Sequence, residues 1–329
     1  MRFIVFAILT WILFVFRLSA EEIQIQKQGY TSSLVCGQCH EAIYSKWKNS
    51  MHAMSYTDPI FELGYLRALN GIGEEARTIC LNCHAPAVRY NQDVRLKDPV
   101  TREGVTCDFC HTIKGVDLDN KENAYIMDVG DVKRSTLKKA ESPAHKVEHS
   151  ELHAKSEFCA GCHDMKAENG LMIMGTYTEW KETSYAREGV QCQGCHMPVI
   201  EGKIVKSDIK ESRDWINLHD LQGGHSVSQL AKAMKVEILD VISAPQGVNI
   251  KVGITNAGSG HFVPTGHPSR QLVLKLLVRD QKGQIVHQDE KIFKKTLVDK
   301  NGKELKYKHE FLKAQKVLTD NRIPPGKKQ

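Results

Sequence analysis

The sequence predicts a mainly α and loop domain over residues 21–231, followed by an antiparallel, sandwich-like β-domain over residues 232–329. Three observations predict it. All ten cysteines fall in five C-x-x-C-H segments before residue 200, with few strand-like alternations between them. From Val236 onward apolar residues recur with period two, the spacing of a half-buried strand. An apolar N-terminal run precedes both regions.

The N-terminal run comes first in the chain. Met1-Arg2 is a short positive start, Phe3 to Phe16 is apolar, and Arg17-Leu18-Ser19-Ala20 then meets Glu21-Glu22. It is short for a bilayer span and reads as a cleaved export signal over residues 1–20, with an uncleaved N-terminal anchor as the alternative. No cysteine precedes Cys36, which excludes a lipid anchor at this end. The expected location is a bacterial periplasm. With 329 residues, 41% hydrophobic and 26% charged, the chain is long enough for about two folded domains and is neither a fibre nor a disordered tail.

The five segments are Cys36-Gly-Gln-Cys39-His40, Cys80-Leu-Asn-Cys83-His84, Cys107-Asp-Phe-Cys110-His111, Cys159-Ala-Gly-Cys162-His163 and Cys192-Gln-Gly-Cys195-His196. C-x-x-C-H is the attachment pattern of haem c. Two thiols three positions apart form thioethers to the two vinyl groups of one haem, and the next imidazole lies over the iron as its proximal ligand. Zinc would need four ligands per site and gives no reason for a histidine after every pair. Disulfides suit an exported chain but also leave the histidines unexplained. A thioredoxin-like pair is expected once, in a strand-helix setting. Five covalent haems c are therefore expected.

On these residues the chain resembles the multihaem c-type cytochromes, the group that includes hydroxylamine oxidoreductase, its tetrahaem electron acceptor and the pentahaem nitrite reductases. Flanking phrases add to the resemblance: Trp47-x-x-Ser50-x-His52, Glu103-Gly-Val-x-Cys107, Cys195-His-Met197-Pro198 and Gly258-x-Gly260-His261-x-x-Pro264-Thr265-Gly266. It covers most of residues 30–270. The nitrite reductases carry lysine in place of the histidine at their catalytic haem, whereas all five motifs here end in histidine, which sets this chain apart from them.

Two internal echoes organise the haem region. Arg102-Glu103-Gly104-Val105-Thr106-Cys107 recurs as Arg187-Glu188-Gly189-Val190-Gln191-Cys192, and Tyr44 to Ala53 recurs as Tyr177 to Ala186, with Tyr185 at the place of His52. About 210 residues must serve five haems, roughly forty each, too few to enclose every haem separately, so the haems are expected to pack against one another. Ser142-Pro143 reads as an N-cap and first turn, predicting a helix to about Glu157.

Ten histidines lie outside the motifs. The resemblance makes His52 a distal iron ligand. His145, His149 and His153 share one face of the predicted helix; His145 and His153 are far enough apart to serve two haems, with His149 left as a surface or propionate contact. His219 and His225 flank Leu221-Gln-Gly223-Gly224 and are further candidates, as is His261 in a glycine-rich loop. His267, before Pro268, is a weaker one. His287 and His309 read as surface residues, and Met197 follows a proximal histidine too closely to reach the opposite haem face.

The β-domain rests on Val236-x-Ile238, Val248-x-Ile250-x-Val252-x-Ile254 and Leu272-x-Leu274-x-Leu276-x-Val278, separated by Pro245-Gln-Gly247 and Asp280-Gln-Lys-Gly283. The closing Pro324-Pro325-Gly326 is a turn composition, so the sheet is expected to be unfinished, as in a truncated domain. The formal net charge of +6 is unevenly shared, because residues 232–329 hold 19 basic and 9 acidic side chains. Electron transfer to redox partners, other cytochromes or a membrane quinol complex, is the first functional reading. The alternative is an oxidoreductase acting on nitrite, hydroxylamine or sulfite at one open haem, motivated by Tyr185 and by the enzymes of the resembling group. Nothing in the sequence points to nucleic acid.

Overall fold

The computed structural model describes residues 24–120, 123–206, 215–245 and 247–329. The expected export signal lies outside the described residues. Among the described residues no helix is long and apolar enough to cross a membrane.

Each attachment motif sits in or at the end of a short helix: Ser33–Cys39, Glu75–His84, Cys107–His111, Glu157–His163 and Cys192–His196. Local chemistry starts them. Thr106 caps the third by accepting the Phe109 N–H at 2.9 Å, and Ser32 caps the first through Leu34. The longest helix among the described residues, Pro59–Ile72, has Asp58 at its N-cap, proline in its first turn and Gly73 in the left-handed region just past its end.

The internal echo is a repeated framework. The Trp47 indole N–H donates to the Val105 carbonyl at 2.9 Å, and Trp180 donates to the Val190 carbonyl at 2.9 Å. The Val105 N–H donates to the His52 carbonyl, as the Val190 N–H does to that of Tyr185, both at 2.9 Å. Serine closes each copy: the Cys107 N–H donates to Ser33 Oγ and the Cys192 N–H to Ser156 Oγ. Gly104 is irreplaceable in the first copy, since its φ is +73° and a Cβ would lie 2.6 Å from the His52 and Ala53 carbonyl oxygens.

Two expectations are corrected. The segment after Pro143 is not a helix. Lys146–His149 pairs as a parallel strand with Val132–Ser135, and Arg134 holds the pair by reaching both Asp128 and Glu148 at 2.5 and 2.7 Å. A 3-10 turn at Glu151–Ala154 follows, so His145, His149 and His153 do not share a helical face. The haem region also holds more strand than its sequence suggests, in four two-stranded sheets.

The C-terminal strands form where the alternation predicts them, as the antiparallel pairs Met234–Ala244 with Gly247–Asn256 and Leu272–Arg279 with Ile285–Phe293. A third pair joins Lys295–Val298 to Lys316–Asp320. They remain separate two-stranded sheets where a sandwich was expected. Val236, Ile238, Val241 and Val248, on one face of the first hairpin, stay exposed, while Ile254 on that face packs with Leu272, Leu274 and Phe293 of the second. The join to the haem region is well packed. Ala167 and Ile173 share a buried cluster with Leu297, Leu305, Phe311 and Ala314. Arg322, 8% exposed, is paired with Glu179 at 2.7 Å.

Candidate haem-binding site

None of the ten cysteines is joined to another in a disulfide, and cysteines of different motifs lie close to one another. Cys36 contacts Cys107, Cys83 contacts Cys162, and Cys159 contacts Cys192. These thiol contacts, then burial, raise Cys36, Cys83 and Cys159 above the ordinary thiol range. Cys110 is pushed up to about 12 by burial and by Cys162 nearby. The attachment points of the third and fourth motifs are thus neighbours as well.

Four of the five motif histidines are held by the backbone in one tautomer. His40 Nδ1 faces the Ile204 carbonyl at 2.7 Å, His84 that of Ser55 at 2.8 Å, His111 that of Arg134 at 2.6 Å and His196 that of Gln222 at 2.5 Å. A carbonyl only accepts, so each Nδ1 carries the proton and each Nε2 keeps its lone pair for a metal. Burial lowers His84 and His111 and takes His163 down to about 3, which keeps these rings neutral.

Four of the five face a second imidazole. Ring centres are 6.2 Å apart for His40 and His145, 6.2 Å for His52 and His163, 6.4 Å for His111 and His219, and 6.3 Å for His196 and His261. With an imidazole-metal bond of about 2 Å on each side, an iron between two rings sets their centres about 6 Å apart. Three of the four facing rings are oriented in the same way. His145 Nδ1 meets the Lys146 carbonyl at 3.0 Å, His219 that of Asn217 at 2.6 Å and His261 that of Phe262 at 2.9 Å. The residues present therefore fit haem on geometry and on tautomer.

Two expected ligands stand elsewhere. His153 lies beside His111, ring centres 5.8 Å apart, but its Nε2 is 3.0 Å from the Cys110 carbonyl and so carries the proton. The nitrogen that would bind iron is engaged. His225 is exposed in a turn ahead of the helix Val227–Ala233. His149 and His287 are exposed, and His309 packs its ring against Gly71 of the long helix instead of facing solvent.

His84 is the exception among the motif histidines. Among the described residues no imidazole faces it at the spacing of the other four. Phe61 stacks flat on its ring with centres 3.9 Å apart, on the flank of the imidazole and not along its Nε2 direction. Sequence reasoning had looked for an exception at Tyr185. That ring packs against Gly260 beside Trp180, and His261 stands opposite the nearby His196. The signal at His84 was an absence of partner, which no local motif encodes.

Comparison with known proteins agrees with this geometry. Residues 35–112, spanning the first three motifs, match the family described as cytochrome c554 and c-prime. The fold is similar to the crystal structure of a penta-haem cytochrome c552 from Thermochromatium tepidum, with 27% sequence identity over 91% of this chain and 86% of that one and a TM-score of 0.73. No curated protein sequence matches the chain. In its attachment motifs, its backbone-oriented imidazoles and these two matches, the chain is similar to multihaem c-type cytochromes.

Proposed function

We propose that the protein is a periplasmic electron-transfer cytochrome carrying five covalent haems, exchanging electrons with partner cytochromes or a membrane quinol complex. The observation that carries this reading is the set of four facing imidazole pairs, 6.2–6.4 Å apart. Cys36 with Cys39, Cys80 with Cys83, Cys107 with Cys110, Cys159 with Cys162 and Cys192 with Cys195 would hold the five groups. His40, His84, His111, His163 and His196 would be their proximal ligands, and His145, His219, His52 and His261 would face the first, third, fourth and fifth. Bound haem c supplies one-electron iron chemistry at a potential set by its axial ligands and surroundings. Imidazole on both faces of an iron leaves no place for substrate, which suits a carrier. The thiol contacts between motifs support close packing of the groups, as a route for electrons needs. The N-terminal apolar run supports export.

A second reading is favoured at one place. Among the described residues no imidazole faces His84 at the spacing of the other four pairs, so the iron it would hold has room for a small nitrogen or sulfur species, and the protein would then be an oxidoreductase fed by the other four sites. One experiment tests both readings. The native protein should show five haems by intact mass and by haemochrome absorbance, and electron paramagnetic resonance should show one high-spin ferric iron per chain beside four low-spin ones. Fewer than five haems would overturn the pentahaem carrier. Five low-spin irons would remove the second reading and leave the first.

A further inference from the structure

The fixed charge beside the thiol contacts changes from one contact to the next. At Cys36 and Cys107 it cancels, because Lys133 is paired with Asp108, whose side chain is fully buried, and the two act on Cys36 with opposite sign. At Cys83 and Cys162 it is a cation. Arg89 donates from Nε to the carbonyl of Asn82, the residue before Cys83, at 2.6 Å, and from Nη1 to Asn123 Oδ1 at 2.9 Å. Its guanidinium carbon lies 5.4 Å from the centre of the Tyr125 ring. The Tyr125 hydroxyl in turn donates to the Phe158 carbonyl at 3.0 Å and lies 3.7 Å from Cys162 Sγ. Arg89 thus bridges the second and fourth motifs, and its side chain reaches the thiols of both. Its acceptors are neutral, and it forms no ion pair among the described residues.

At Cys159 and Cys192 the fixed charge is an anion. Glu157 opens the helix that carries the fourth motif, two positions before Cys159, and accepts the Tyr177 hydroxyl at 3.2 Å. Its charge also acts on Cys192. Lys181 lies over the Tyr177 ring, 5.8 Å from its centre, and Glu157 forms no ion pair among the described residues. Reducing an iron from Fe(III) to Fe(II) adds one negative charge to its site, so a nearby cation favours the reduced state and a nearby carboxylate opposes it. An electron passed between two sites oxidises one iron and reduces the other, with nothing else gained or lost. The difference in fixed charge around them then decides where it rests. Arginine suits that role because it stays protonated at any physiological pH, and Arg89 and Glu157 are both half-buried, which limits screening by salt.

We propose that Arg89 and Glu157 set the direction of electron flow through the fourth motif, Arg89 drawing electrons towards the second site and Glu157 making the fifth harder to reduce. This rests on the pentahaem reading and gives it a direction. The second site is next to the cation alone, the fourth lies between the cation and the carboxylate, and the fifth is next to the carboxylate alone. The ease of reduction therefore falls in the order second, fourth, fifth, and an electron entering at the fifth runs to the second. Neither residue holds an iron, so both are positioning residues that act through the field at the haems.

The test is a redox titration of the holoprotein, with haem absorbance giving the midpoints. Arg89→Gln should lower two of them, electron occupancy of those sites falling about tenfold, which is about 59 mV for one electron. Arg89→Lys keeps the charge and loses the forked contacts, so it should titrate like the wild type. Glu157→Gln keeps an acceptor for Tyr177 and should move midpoints upward. A His52→Ala background reads the fourth site alone, through the additional high-spin resonance of its iron. That midpoint should fall with Arg89→Gln and rise with Glu157→Gln. Five haems in the wild type with midpoints unmoved by either charge-removing variant would overturn the proposal and leave the pentahaem reading standing, whereas fewer than five would overturn that reading. Equal shifts in Arg89→Lys and Arg89→Gln would assign Arg89 to holding Asn82 and Asn123 in place, and would also overturn the proposal. If Arg89→Gln does not take up five haems, Glu157→Gln decides alone, and the absence of an upward shift sinks the proposal.

Discussion

A neutral imidazole offers a metal only the nitrogen that lacks the proton, so the hydrogen bond on the other nitrogen decides whether a buried histidine can be a ligand. This separates neighbours that composition treats alike. His219 and His153 both lie beside His111, but Nδ1 of His219 meets a carbonyl while His153 uses Nε2 for that purpose. His219→Ala should therefore convert about one low-spin iron per chain to high-spin, whereas His153→Ala should leave the spin count unchanged. Electron paramagnetic resonance of both variants checks it, and equal effects would mean that the tautomer rule fails here. The motif histidines were legible in the sequence because attachment requires three residues in fixed local order. The facing histidines were legible only as a pool. His40 and His145 meet across more than a hundred residues, and the helical spacing that chose His145 and His153 over His149 picked one facing ring and one that faces a carbonyl, because the segment is a strand and a 3-10 turn.

At the scale of elements, the chain is built from short pieces that lean on one another. The period-two alternation of Leu272, Leu274, Leu276 and Val278 was enough to predict a strand, because it reports one strand's own faces. It could not report whether a second sheet would cover that hairpin, nor that Val132–Ser135 would find a parallel partner, since both depend on distant residues. The same dependence sets the join between the C-terminal hairpins and the haem region. Arg322 Nη1 meets Glu179 Oε1 at 2.7 Å, with the two side chains 8% and 11% exposed. Glu179 also accepts from Thr265 Oγ1 at 2.7 Å and from the Phe262 N–H at 3.2 Å. Removing Glu179 leaves Arg322 with Asp320 but takes the acceptor from Arg322 Nη1, Thr265 Oγ1 and the Phe262 N–H, which costs about 1–3 kcal/mol. Glu179→Ala should lower stability by that order in a denaturant titration of the holoprotein. The double change Glu179→Leu with Arg322→Met should recover part of the loss, because apolar replacement removes both charges together.

Over the whole molecule, the thiol contacts define how the five sites connect. The first motif touches the third through Cys36 and Cys107, and Cys110 of the third is close to Cys162 of the fourth. Cys162 also contacts Cys83 of the second motif, while Cys159 contacts Cys192 of the fifth. The fourth motif is thus the branch point. It lies between the first and third on one side and the second and fifth on the other, with His52 from the earlier copy of the repeat facing its own His163. Removing the fifth motif with Cys192→Ala and Cys195→Ala should leave the other four connected. Removing the fourth with Cys159→Ala and Cys162→Ala should leave the second and fifth cut off from each other and from the first pair. With limiting reductant in stopped-flow spectroscopy, the variant lacking the fifth motif should equilibrate in one phase, as the native protein does. The variant lacking the fourth should resolve into separate phases, provided that absorbance confirms four haems in each. A single fast phase in both would show that electrons bypass the fourth site, and the connectivity drawn from the thiols would then be wrong.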